Sequence, residues 1–232
     1  MGQDQTGDAV TLWCAVGVGD FEKIEAGEWR GVPGGADLRV FGGRGAAERV
    51  AREEIVAADG AGFVLKLEVR SEFFAERAVP DEGLVVSAED VAELNTQLVG
   101  AIVEAVDFRG AVADEEFADG PVLPAAWRSY LQSPSWLRRG LLASGKYVWL
   151  YPPREGRDVL AIWEAEERFP GIALIGGDGG LENFVFDLRQ DPAPVLMVSN
   201  ASESWDDAVV QAVDAADFVA RLEDGTFDLT VG

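Results

Sequence analysis

Histidine does not occur among the 232 residues, and cysteine occurs once, as Cys14. A Ser-His-Asp or Cys-His nucleophile is therefore out of reach, as are zinc sites built on imidazole or on several thiolates. Catalysis would have to rest on carboxylates, Tyr, Lys or Arg, or on a metal held by oxygen ligands. Carboxylates are the abundant reactive type, with 42 Asp and Glu against 19 Lys and Arg. Cys14 sits in the apolar run Val10-Thr11-Leu12-Trp13-Cys14-Ala15-Val16. A buried, inert thiol is expected there rather than a nucleophile.

Two glycine-rich turns could in principle cradle a phosphate. Gly42-Gly43-Arg44-Gly45 follows a strand-like run and opens a helical pattern, and Glu68 closes the next strand, where a dinucleotide fold places its ribose-binding acid. The fingerprint wants Gly or Ala at position 48, however, and Glu48 there would repel a pyrophosphate. A tight turn into a helix is the better account. Gly176-Gly177-Asp178-Gly179-Gly180 has no Lys-Ser/Thr after it and is no P-loop. Asp178 and Glu182 lack the spacing and ligand number of an EF-hand. A strand-to-strand turn accounts for these glycines, with Asp178 and Glu182 at its tip, available to a partner.

Glu203, Trp205, Asp206 and Asp207 form a further set. They fit an interface anchor with an acidic rim. They fit equally a Trp capping the core, with acids at a solvated helix start where the dipole favours them. Trp127, Trp136, Trp149 and Trp163 are expected in the core, and Glu164-Ala165-Glu166-Glu167 and Asp114-Glu115-Glu116 on solvated faces. No catalytic set, metal site or cofactor is expected.

The elements that must position these residues follow from hydropathy periods. Strands are expected over Val10–Val18, Leu38–Phe41, Gly62–Val69, Leu84–Val86 and Ala101–Phe108. In the third, Phe63, Leu65, Leu67 and Val69 share one face and Lys66 and Glu68 the other. In the last, Ile102, Glu104, Val106 and Phe108 share a face. Helical spacing appears over Ala46–Val56, and Ser87 with Asp90 starts another helix as a capping box. Beyond the Gly-, Asp- and Glu-rich stretch 111–122, taken as a linker, Tyr147–Tyr151 reads as a strand and Val159–Arg168 as a helix. The irregular alternation predicts an α+β fold in two small domains, 1–110 and 123–232.

The net charge is −23, with −15 on residues 1–120 and −8 on residues 121–232. Such a chain repels nucleic acid and anionic lipid and attracts basic proteins. One cysteine permits no internal disulfide. No leader-like segment and no 18-residue apolar run is seen, so the expectation is cytoplasmic, with no membrane partner.

Four segments resemble a known family. Leu123-Pro124-Ala125-Ala126-Trp127-Arg128-Ser129-Tyr130-Leu131 is similar to the opening helix of SMI1/KNR4 (SUKH) domains. Phe169-Pro170-Gly171 through Phe184-Val185-Phe186-Asp187-Leu188-Arg189 is similar to their strand, Gly/Asp turn and strand ending in Phe-Asp. Pro194–Val198 with Trp205-Asp206-Asp207, and the helix Asp214–Glu223, follow in the family's order. The likeness covers roughly 123–224. It departs at Gln132-Ser133-Pro134-Ser135-Trp136, where the family has an Asn-Gly turn. The resemblance implies a mostly antiparallel sheet flanked by helices and no common catalytic centre. It also implies the role of bacterial members, immunity-type proteins that bind and neutralise toxins. Residues 1–110 resemble, more faintly, small ADP-ribosyltransferase-like modules, but one pattern's histidine and an Arg-Ser-Glu set are missing. The expected function is an acidic protein-binding module of the immunity type, occluding a basic partner such as a toxin. An NAD- or ADP-ribose-binding enzyme and a regulatory scaffold are the alternatives.

Overall fold

A computed structural model describes residues 8–74, 77, 79, 80 and 83–230. The chain is α+β, and its contacts divide it into two compact units, residues 1–109 and 110–232.

In the first unit, β1 (Ala9–Val16) leads into α1 (Val18–Ala26), and β2 (Leu38–Phe41) into α2 (Arg44–Val50). A π-helical turn, Ala51–Ile55, joins α2 to α3 (Val56–Asp59). Next come β3 (Ala61–Arg70), β4 (Leu84–Val86), α4 (Val91–Gln97) and β5 (Val103–Arg109). The strands are all antiparallel in the order β5-β3-β1-β2-β4. β1 and β3 pair without a slip from Ala9↔Arg70 to Val16↔Phe63. Period two then sends Leu12, Cys14 and Val16 with Phe63, Leu65, Leu67 and Val69 to one face, against Phe21 and Ile24 of α1 and Val91 and Leu94 of α4. The helical stretch from α2 to α3 covers the other face. Arg52 lies over the Phe108 ring at 4.2 Å and Arg44 over Trp13 at 5.8 Å. Gly62 admits this close approach, because a Cβ there would stand 2.6 Å from the Ala51 carbonyl oxygen.

β5 departs from the strict alternation expected of it. Val64 pairs with Val106 but Leu65 with Glu104, so Ala105 is an extra residue. A bulge of this kind shifts the phase by one. Ile102 stays in the α1/α4 core, whereas Phe108 turns to the opposite helix, and Asp107 becomes buried at 1% exposure. Ser87 and Asp90 do hydrogen-bond, Asp90 N–H donating to Ser87 Oγ, but not as the expected capping box with Ser87 as N-cap, since the N-cap of α4 is Asp90. The bond closes a turn, and α4 starts at Val91.

The second unit contains α5 (Ala125–Leu131), β6 (Trp136–Leu141), β7 (Tyr147–Leu150), α6 (Pro153–Trp163), β8 (Ile172–Gly177), β9 (Glu182–Asp187), β10 (Val195–Ser199), β11 (Val209–Ala212) and α7 (Ala215–Glu223). Its strands form an antiparallel meander in chain order from β6 to β11. β9 shows how both faces are used. Phe186 meets Trp127 of α5 and Phe184 meets Phe218 of α7, while Val185 joins Leu160 of α6 on the other side. Truncating one such buried aromatic costs about 3–5 kcal/mol.

α6 begins six residues before the Val159 start expected of it and ends five before Arg168. Pro152 and Pro153 preset the first turn, and Glu164, at φ 54°, stops the helix in a left-handed turn. β6 and β11 were not expected. Both are short, and each mixes buried and exposed positions. Residues 111–122 are more than a tether. A 3₁₀ turn spans Asp114–Phe117, Val112 N–H donates to Leu131 O, and Arg157 Nη1 donates to Glu116 O.

Candidate functional site

Asp178 begins the turn between β8 and β9, and its carboxylate is used locally. Oδ1 accepts from Gly180 N–H at 2.7 Å and from Glu182 N–H at 3.2 Å. Asp178 and Glu182 are therefore brought together by the turn, both half-buried, with Leu181 between them 68% exposed.

The chain leaves β10 beside that turn. Asn200 N–H donates to Leu181 O, and Asn183 Nδ2 donates to Asn200 Oδ1 at 2.8 Å. It then crosses the α6 face of the sheet. Asp207 Oδ2 accepts from Glu203 N–H and Ser204 N–H in a capping box that holds a 3₁₀ turn, Trp205–Asp207. Trp205 points inward. Its ring stands edge-on to Phe169 at 5.2 Å, Nε1 donates to Pro170 O, and the Arg189 guanidinium stacks over it at 4.9 Å. Of the two accounts of this segment, Trp205 and Asp207 have the geometry of a core cap and a helix-start cap. Glu203 and Asp206 project into solvent.

Sequence reasoning did not foresee which residues join them. Arg168 donates to Trp163 O, Ser202 O and Asn200 O, at 3.3, 2.9 and 3.5 Å. That ties the turn carrying Glu164, Glu166 and Glu167 to the segment carrying Glu203 and Asp206. These five acids are exposed and make no ion pair among the described residues. Half-buried Trp163 and Trp205 flank Phe169 between the two stretches. The one sequence signal was two acidic clusters separated by about forty residues. Nothing in the string shows that a single arginine bridges them.

A second unforeseen feature is the Asp-x-Arg spacing at a strand end. Asp187, 2% exposed, accepts from Arg189 Nε at 2.7 Å and Nη2 at 2.9 Å, and from Gln190 Nε2 at 2.7 Å. The Arg189 hydrogen bonds hold its carboxyl down at about 2, against an ordinary 3.8. Asp107 and Arg109 repeat the spacing at the end of β5, with Arg109 Nη2 donating at 2.8 Å. Both pairs orient Arg189 and Arg109 across aromatic rings.

In the first unit, Gly43 precedes α2 in extended geometry, and Glu48 takes Arg44 Nε at 2.6 Å. The preceding strand β2 is antiparallel to its neighbours β1 and β4, unlike the parallel strands that frame a dinucleotide turn. Cys14 is fully buried, and burial pushes its thiol up to about 12. No group of three or more His, Cys, Asp and Glu is placed to hold a metal among the described residues. No helix among them is long and apolar enough to cross a membrane. Compared with known proteins, the chain matches no family model and no curated relative.

Proposed function

We propose that the chain is an acidic protein-binding module of the immunity type, which neutralises a basic partner, a toxin, by covering it. The observation that carries this reading is the bridged acidic face of the second unit. Glu164, Glu166, Glu167, Glu203 and Asp206 are exposed without ion pairs among the described residues, and two half-buried tryptophans lie between them. Like charges gathered on one surface repel each other, and a cationic partner relieves that repulsion. Trp163, half-buried beside these acids, is of a residue type enriched at such contacts, while Trp205 caps the core. The net charge of −23 adds long-range steering toward a basic surface. The SMI1/KNR4-like segments, with their helix, Gly/Asp turn and Phe-Asp strand end, support the same reading.

The test is binding of the purified chain to the product of the adjacent gene at low and high salt. Tight binding that weakens at least tenfold from about 0.05 to 0.5 M salt is expected. The triple change Glu164→Lys, Glu166→Lys, Glu203→Lys should abolish it without lowering the melting temperature. Binding to no basic protein at either salt would remove the reading.

A further inference from the structure

A cleft of the second unit lies away from the Asp178 turn. It holds about 720 Å³ between residues 119–123, the first two turns of α6 and the start of β8. Leu123, Pro153, Leu160, Ala161, Ile172 and Leu174 supply its apolar lining. Asp119, Asp158 and Glu166 stand on its rim, all exposed. Arg157 is the basic residue of the lining, and its Nη1 is engaged by Glu116 O at 3.0 Å. The rim is therefore net negative.

The cleft opens where the sheet changes its pairing. β7 pairs with β8 at Gly177 and Gly176, and Tyr151 N–H reaches Ile175 O. The chain then turns at Pro152 into α6. The β7 side of β8 from Ile172 to Leu174 has no strand beside it among the described residues. α6 can lean on this flank because residue 156 is glycine, and a Cβ there would collide with Leu174 O.

A separate observation concerns the surface around the cleft. Val122, 93% exposed, and Ile162, 85% exposed, are the most exposed large apolar side chains among the described residues. Val122 is flanked in the chain by the lining residues Pro121 and Leu123 and itself lines a neighbouring cleft, and Ile162 follows the lining residue Ala161. Apolar side chains left in water next in the chain to the lining of an apolar cleft mark a surface that a partner covers. Convergent buried polar side chains, which orient a small molecule, are missing from the lining, and the acidic rim repels anionic lipid.

We propose that this cleft is a docking groove for an extended peptide segment of a protein partner, in which apolar and basic residues alternate. Apolar side chains enter against the lining residues Leu160 and Leu174. The alternate basic ones meet Asp119, Asp158 and Glu166. Alternation suits an extended strand, whose successive side chains point to opposite sides. The proposal rests on the reading of the chain as a binder of basic proteins and names the surface that takes the partner's chain.

The test is calorimetry of the full chain with acetyl-Leu-Lys-Val-Arg-Leu-Lys-amide and with its acidic counterpart, acetyl-Leu-Glu-Val-Asp-Leu-Glu-amide. The basic peptide should bind at least tenfold more tightly than the acidic one. Ala161→Arg, which fills the groove, and Asp158→Lys, which reverses its rim, each lie at exposed positions and should weaken that binding tenfold with unchanged melting. No binding of the basic peptide, or binding that both variants leave intact, overturns the groove. The same variants against the adjacent gene product separate the two proposals. If that binding survives both groove variants but is lost on Glu164→Lys, Glu166→Lys, Glu203→Lys, the acidic-face function stands and the groove falls.

Discussion

Asp187 combines near-complete burial with a fork of Arg189 donors. Its folded carboxyl titrates at about 2, below its ordinary 3.8. A depressed carboxyl contributes stability above its unfolded value and loses it as pH falls through the folded one. Asp187→Asn keeps the shape but not the charge. The wild-type advantage over this variant should be about 1–2 kcal/mol near pH 6, the half-exposed Arg189 limiting it, and should shrink as pH drops from about 4 to 2. Urea midpoints at several pH values measure it, and parallel curves for the two proteins would refute it. Cys14 makes the opposite point about burial. Desolvation by burial raises its thiol to about 12. It should stay unlabelled by Ellman's reagent in the native chain at pH 8 and react fully in about 6 M guanidinium chloride. Rapid native labelling would contradict the buried placement.

Among the elements, α6 and α2 give contrasting glycine predictions. Gly156 lies where α6 crosses the Leu174 carbonyl, and a methyl group there has no room because the obstacle is backbone. Gly156→Ala should destabilise the chain by about 2 kcal/mol or more and shift the fluorescence of Trp163 at the far end of the helix. Gly45 is exposed in the first turn of α2, with open space where a methyl group would stand. Gly45→Ala should instead stabilise by about 0.5–1 kcal/mol through helix propensity and a less flexible unfolded chain. Thermal melts of both variants decide the pair, and equal effects would sink the close-packing argument for α6.

For the whole molecule, the charge of −23 is large for 232 residues. Self-repulsion lowers stability at low ionic strength, and salt screens it within about 10 Å at 0.1 M. The melting temperature should therefore rise by several degrees between about 0.02 and 0.5 M sodium chloride. A flat or falling profile would mean that local ion pairs, not net charge, dominate. The same screening weakens association with a basic partner, so salt should push folding and binding in opposite directions.

Composition and period were enough to determine the α+β class, the absence of histidine chemistry, and the inner faces of β3, α5 and α7. Trp127, Tyr130 and Leu131 follow a helical stripe after Pro124, and Phe218 and Leu222 follow another after Asp214, whereas Val219, expected to face inward with them, is only half-buried. Such stripes are local, and burial simply selects the side that is already apolar. The bulge at Ala105 was not legible, because one inserted residue changes the phase without changing composition. The inward turn of Trp205 depended on Phe169, Pro170 and Arg189 arriving from thirty-odd residues or fewer along the chain, whereas the Asp207 cap is local. The tie from Arg168 to Ser202 and the cleft beside α6 are likewise tertiary. Their parts are ordinary acids, prolines and glycines in the string, and only the path of the folded backbone makes them neighbours.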